Sequence, residues 1–413
     1  MTGAAGSWPA DGAPALSVST VSTADAGSLI AALEPRHPLA FVRAGDGIVG
    51  VGEALRLEFT GPTRFTDAAA AWRALVAAST ITDEVRRPGT GLVAFGSFAF
   101  ADGSSARSVL IVPNVIIGRS GDDHWVTRVG SAVVPASTPV GAPVSTSLTP
   151  GRMTPKAYAA AVASAVARIA AGDASKIVLA RDLAGTIPGD ADLRVPLARL
   201  ASDYPDTFTF AVDGLIGSSP ETLVRVAGST VTARVLAGTA ARGEDVATDA
   251  IARERIETST KDRAEHAFAL ASVILALEPH AVEVSSSPHP FPLALPNLWH
   301  LASDVTGTLT DGSSSLDLIG ALHPTAAVAG SPTPAALAII RELEPFDRGR
   351  YAGPVGWVSA DGDGEWAVAL RCAQVEGNTV TAFAGAGIVE DSDPARELAE
   401  TTLKFRPITE ALG

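Results

Sequence analysis

Residues 154–183 read TPKAYAAAVASAVARIAAGDASKIVLARDL, and the passage changes its period partway along. Thr154 is placed as a helix N-cap with Pro155 at the first helical position, the alanine-rich run carries the helix to Ala171, and Gly172 stops it. An apolar strand follows over 176–183. Upstream, strand-like runs at 39–43, 91–100 and 108–117 are separated by Gly, Asp and Pro turns, and a Pro-, Ser- and Thr-rich stretch over 133–150 reads as a connecting loop. Downstream, strands are expected at 207–212, 223–226, 231–235, 298–308, 366–374 and 379–384, and helices at 262–277, 316–322, 334–343 and 394–405. Runs of strands interrupted by occasional helices predict an α+β fold, with helices packed outside a mainly antiparallel sheet system. No short repeat or clean linker divides the chain, so one large domain is expected, with 27–150 as the first half of the sheet core and 151–413 as the second. Residues 1–26, small and polar, are expected to be disordered.

At 413 residues with 46% hydrophobic and 18% charged content, the chain can bury a large core and is globular in composition. Its start carries neither a basic cluster nor a continuous apolar core, which predicts no signal or transit peptide and a cytoplasmic protein. The longest apolar run, 267–277, is about half of the roughly 20 residues that cross a bilayer, so no membrane association is expected. One cysteine, Cys372, rules out an intrachain disulfide and a cysteine metal cage. The net charge of −14, with no basic stripe, argues against nucleic acid as a partner.

No GxSxG, HExxH or phosphate-binding loop is present, and Gly385-Ala386-Gly387 lacks the third glycine of a dinucleotide fingerprint. Two helices instead carry carboxylates at i, i+3: Asp262 with Glu265, and Glu397 with Glu400. Either pair alone reads equally as a solvated face. If the pairs converged, they would offer the hard oxygen ligands that suit Mg²⁺. Lys176 opens an apolar strand, where a lysine is either a solvated strand end or, drawn inward, an amine able to take a proton from water. Glu221 follows a Ser-Ser-Pro turn; exposed it is unremarked, and buried it becomes an acid protonated near neutrality.

These pieces occur in one order: Lys176-Ile-Val-Leu-Ala-Arg181, Ser219-Pro-Glu221, Leu236-Ala-Gly-Thr239, Lys261-Asp-Arg-Ala-Glu-His266, Leu298-Trp-His-Leu-Ala-Ser303, His323-Pro-Thr-Ala-Ala-Val328, Glu365 through Cys372, Phe383-Ala-Gly-Ala-Gly-Ile388, then Glu397-Leu-Ala-Glu400 and Lys404. In this order they resemble the chorismate-utilising enzymes and, among them, the isochorismate synthases. The match is dense over 154–405 and thin before it, where Phe95-Gly-Ser-Phe-Ala-Phe100 carries it. The resemblance implies two stacked antiparallel sheets with helices outside and the site in a deep cleft. It implies Lys176 as the base that activates water, Glu221 as the acid for the departing hydroxyl, Glu265 and Glu400 as Mg²⁺ ligands, and Asp262 and Glu397 as their supports. Arg371 and the backbone of Gly385, Ala386 and Gly387 are implied as the clamp for one substrate carboxylate, Gly238 and Thr239 as the turn at the ring, and His300 and Lys404 as further site groups.

Three positions discriminate within the family. Ammonia-using members typically have glutamine where this chain has Lys176, and aminodeoxychorismate synthases have a lysine where it has Ala237. Ala327 stands where lyase members and salicylate synthases usually place a threonine, so isochorismate is expected to leave intact. The turn after Thr239 has Ala240-Ala241 in place of the common Arg-Pro. The resemblance therefore implies a Mg²⁺-dependent isomerase acting on chorismate without a glutaminase subunit, at the step that opens menaquinone and catechol or salicylate siderophore synthesis; a monomer is expected because no sustained heptad or conspicuous apolar surface run is present. A salicylate synthase and a non-catalytic chorismate-binding protein are the alternatives.

Overall fold

A computed structural model describes residues 12–143 and 146–413. Thr154 caps the helix Pro155–Ala170 by accepting from Ala157 N at 3.2 Å, and Gly172, at φ 85°, turns the chain into the strand Lys176–Thr186. Among the described residues a 13-stranded and a 10-stranded sheet form, antiparallel throughout except where Ser17–Ser22 pairs with Thr80–Asp83. In the larger sheet Lys176–Thr186 pairs with Thr379–Ile388, then come Cys372–Glu376, Leu215–Ser219, Phe208–Val212 and Leu39–Arg43. In the smaller, Leu298–Leu309 pairs with Thr230–Ala241, followed by Thr222–Ala227, Gly364–Val368, Pro354–Ser359, Val93–Ser97 and Ser108–Val112.

Period-two alternation gives each strand two faces. Phe208, Phe210 and Leu215 join Phe95, Leu110 and Trp366 in one apolar layer between the sheets, while Ala211 and Ile216 face an outer layer with Phe405 and Ile408 of the last helix, Pro394–Leu412. On the strand Lys176–Thr186, Ile177 and Leu179 pack against Tyr158, Val162 and Ala165 of the preceding helix, so Lys176, Val178 and Ala180 point the other way, inward.

Several expectations need correcting. Residues 108–117 are two strands, Ser108–Val112 and Val115–Ser120, in different sheets, because Pro113, lacking an N–H, breaks the ladder. Residues 366–374 likewise divide into Gly364–Val368 and Cys372–Glu376. The strand expected at 231–235 runs to Ala241 through a bulge at Gly238. Of the segment expected to be disordered, residues 1–11 lie outside the described residues, and Ser17–Ser22 is a strand. The helix Val246–Thr258 was not anticipated because it buries only Ile256 and so has no apolar stripe.

The first 150 residues supply strands to both sheets. A chain beginning at residue 151 would expose the inner edges of Phe208–Val212 and Pro354–Ser359, which pair with Leu39–Arg43 and Val93–Ser97. It is expected to show no cooperative thermal transition by circular dichroism; a sharp transition like that of the full chain would contradict this.

Candidate active site

The chain passes from the larger to the smaller sheet between Ser219 and Thr222, and back between Val368 and Cys372. Glu221 lies on the first crossing and Arg371 on the second, the latter at φ 50°, a left-handed conformation that a non-glycine residue adopts at a cost. Both are buried and line one small cavity, about 60 Å³, with Gly238, Thr239, Glu265, His300, Ala327, Gly385, Gly387 and Lys404. Larger cavities of about 770 and 830 Å³ lie elsewhere; on the second, the buried Arg348 and Arg350 are already ion-paired, with Glu344 and Asp213.

Lys176 is 0% exposed, with Nζ 3.0 Å from Glu265 Oε1; the angle is poor, and Nζ makes no hydrogen bond among the described residues. Gly387, opposite Val178 in the ladder, makes room for this pair: a Cβ there would collide with Glu265 Oε1 and come within 2.9 Å of Lys176 Cε. Burial pushes the Glu221 carboxyl up to about 7, against the opposing pull of Lys176, Arg371 and Lys404. The inward amine and the protonated acid therefore stand within electrostatic reach of one another.

Gly238, at φ 77°, forms the bulge in Thr230–Ala241, and a Cβ on it would meet Asp262 Cβ at 2.9 Å. The bulge turns the Gly238 carbonyl toward His300, 2.9 Å from Nδ1. Arg371 Nη2 can only donate, so His300 Nε2, 3.1 Å away, accepts, and Nδ1 carries the proton toward Gly238 O. Burial, reinforced by Arg371 and Lys404, lowers His300 to about 3, which keeps it neutral in this role. Lys404 Nζ donates to Gly385 O at 3.1 Å and pairs with Glu400 Oε1 at 2.6 Å. Ala386 sits between the two glycines with its side chain packed among Tyr158, Ile177 and Leu179, and it does not line the cavity. Glu397 is buried near the start of the last helix, and neither it nor Asp262 lines the cavity.

Glu265 and Glu400 come from different supports, the helix Thr260–Leu277 on the smaller sheet and Pro394–Leu412 on the larger. Among the described residues no three acidic, histidine or cysteine side chains form a closed cage. Mg²⁺ keeps several waters and needs only one or two carboxylates beside an anionic ligand, so the hard oxygens of Glu265 and Glu400 fit it in kind. Arg348 and Tyr351 also line the cavity and carried no motif. The available signal was Glu344 and Arg348 at i, i+4 just past the helix Thr333–Leu343.

Residues 19–140 and 131–413 match the profile of the chorismate binding enzymes. The chain is 34% identical over 406 residues to a putative isochorismate synthase MenF of Mycobacterium tuberculosis, covering 93% of this chain and 98% of that one. It is 40% identical over 271 residues to isochorismate synthase DhbC of Bacillus subtilis, covering 63% and 68%. The crystal structure of a putative 2,3-dihydroxybenzoate-specific isochorismate synthase, DhbC of Bacillus anthracis, superposes with a TM-score of 0.79 at 32% identity, over 94% of this chain and 100% of that one. With a match that runs through both sheets and through the crossings that hold Glu221 and Arg371, the chain belongs to the chorismate binding enzyme family.

Proposed function

We propose that this chain is an isochorismate synthase, an isomerase that adds water at C2 of chorismate and expels the C4 hydroxyl. The observation that carries the reading is the pairing of an inward, fully buried Lys176 with a Glu221 whose carboxyl holds its proton to about 7. Catalytic groups of opposite protonation, set apart by their surroundings, can serve as base and acid on one ligand. In the neutral form the Lys176 amine takes a proton from water as its oxygen bonds to C2. The ring double bonds shift, the C4–O bond breaks, and Glu221 gives its proton to the departing hydroxyl, which leaves as water. Atoms balance, and the product is an isomer of the substrate.

Chorismate brings two carboxylates into an acidic protein, so local cations and donors must hold it. Arg371, held by His300, and the backbone of Gly385, Ala386 and Gly387 suit the enolpyruvyl carboxylate. Gly238 and Thr239 suit the ring, and Lys404 adds positive charge beside Gly385. Glu265 and Glu400 would hold Mg²⁺, with Asp262 and Glu397 as supports. When bound, the ion supplies Lewis-acid charge and a seat for the ring carboxylate. Ala327 presents a methyl group where a hydroxyl would be needed to orient substrate for pyruvate loss, which favours release of isochorismate over salicylate.

Liquid chromatography of chorismate incubations checks the assignment. A chorismate and isochorismate mixture should form with Mg²⁺, stop with EDTA and return on adding Mg²⁺; salicylate with pyruvate would move the chain to the lyase branch, and no conversion would leave only binding. Lys176→Ala and Glu221→Gln should each abolish turnover yet still bind chorismate by calorimetry, and loss of binding in both would show them to be clamps instead.

Glu221 also predicts two dependences on pH. As the acid, it should make kcat/KM fall as pH rises through about 7. Its carboxyl is raised on folding, so stability is fully present below the unfolded value and declines up to the folded one, near 7. Glu221→Gln removes that ionisation and should stabilise the protein at pH 8 by on the order of 3 kcal/mol, with little gain near pH 4, as read by denaturant midpoints. An equal gain at both values would contradict the assignment of a buried, late-ionising acid.

A further inference from the structure

The strand Lys176–Thr186 has a gap on one edge. Its other edge pairs along its length with Thr379–Ile388, but on this side Gly330–Ser331 covers only Lys176 and Ile177, and Thr149–Pro150 covers only Leu183 and Ala184. Val178 N still reaches Ala329 O at 2.9 Å. Beyond that, two side chains occupy the place of a strand: Val178 O accepts from Arg348 Nη2 at 2.7 Å, and Ala180 N donates to Glu344 Oε1 at 2.8 Å. Arg348 and Glu344 are themselves buried and joined as a fork, Nε to Oε2 at 2.9 Å and Nη2 to Oε1 at 2.6 Å. Arg348 Nη1 also donates to Val328 O at 2.9 Å, beside Ala327 in the cavity wall, and its guanidinium lies 4.5 Å from the centre of the Phe100 ring.

We propose that the Arg348–Glu344 pair is a positioning device for the reaction, a side-chain substitute for a missing strand that locks the Lys176 strand in register with the Ala327–Val328 wall. The inference rests on Lys176 being the base. Arg348 presents its donors to Val178, Val328 and Glu344, so it orients the strand and does not hold substrate. A lysine at 348 keeps the charge but has no planar fork, and so cannot serve Glu344, Val178 and Val328 together.

Arg348→Lys is therefore expected to lower kcat by about 10- to 100-fold, since a small displacement of a reacting group has that effect. Chorismate Kd should stay within about threefold, because the groups assigned to the substrate are untouched. A folded Arg348→Lys with the parent kcat, or one whose Kd rises while kcat holds, would overturn the proposal. Inactivity of the parent protein, or full activity of Lys176→Ala, would instead sink the reading beneath it. Should Arg348→Lys fail to fold, hydrogen exchange on the unaltered protein decides: the Ala180 amide is expected to be protected as strongly as Leu179 and Arg181, and exchange at loop-like rates would refute the substitute strand.

Discussion

A chain that changes sheet between interior strands, as this one does after Ser219 and after Val368, must carry its backbone across the apolar layer, and at such a crossing it leaves both ladders. Polar backbone and side chains are then carried into a region that otherwise holds Phe95, Phe210 and Trp366. At Ser219–Thr222 and Val368–Cys372 the two crossings lie close enough for Glu221 and Arg371 to share a cavity. The apolar surroundings that hold the sheets together are also what raise the Glu221 carboxyl, and the left-handed backbone at Arg371 is tolerated because strands hold both of its sides. Fold and chemistry thus meet at the same two crossings.

Buried charge is expensive unless it is paired or hydrogen-bonded, and the site meets that requirement unevenly. Arg348 and Glu344 are satisfied completely, by each other and by strand edges, so they belong to the scaffold. Lys176 has an ion pair with poor alignment, and Arg371 leans on a neutral histidine. Incompletely satisfied groups at the site are the ones left with capacity for a ligand, a distinction that contact with the cavity alone does not draw, since Arg348 lines it and Lys176 does not.

Local pattern in the sequence was enough for the capped helix Pro155–Ala170, with one face in and one face out, and for the strand after it, an apolar run set off by the Gly172 stop and buried on both faces. It was not enough where an apolar run continues across a change of sheet. Residues 108–117 and 366–374 each read as one strand because both sheets bury the same kinds of side chain, and periodicity does not record which partner a strand has. The second of these hidden breaks holds Arg371. The motif order brought Lys176, Glu221, Glu265, His300 and Arg371 to attention, whereas Arg348 and Tyr351 went unnoticed because their importance lies in what they touch from a distant segment. Lys176 shows the limit most plainly: a lysine at a strand start is ambiguous until the face it occupies is known, and that face is fixed by Ile177 and Leu179 packing on the helix behind.

The smallness of the cavity bears on how the site works. At about 60 Å³ it falls well below the roughly 300–1,000 Å³ of ordinary ligand pockets, so a ring with two carboxylates must displace side chains that now close it. Arg371, Lys404 and Glu265 line it, Lys176 and Glu400 pair with Glu265 and Lys404 without lining it themselves, and Glu221 keeps its proton near neutrality. Glu265 and Glu400 each stand beside a lysine, whereas Arg371 makes no ion pair among the described residues and leans on the neutral His300, so its charge is left unbalanced inside a chain of net charge −14. An anionic ligand completes that balance, and a neutral one would leave it unresolved in a dry site where mismatched charge is most costly. Preference for an anionic ligand therefore comes from the unmatched charge of the buried Arg371 as much as from shape.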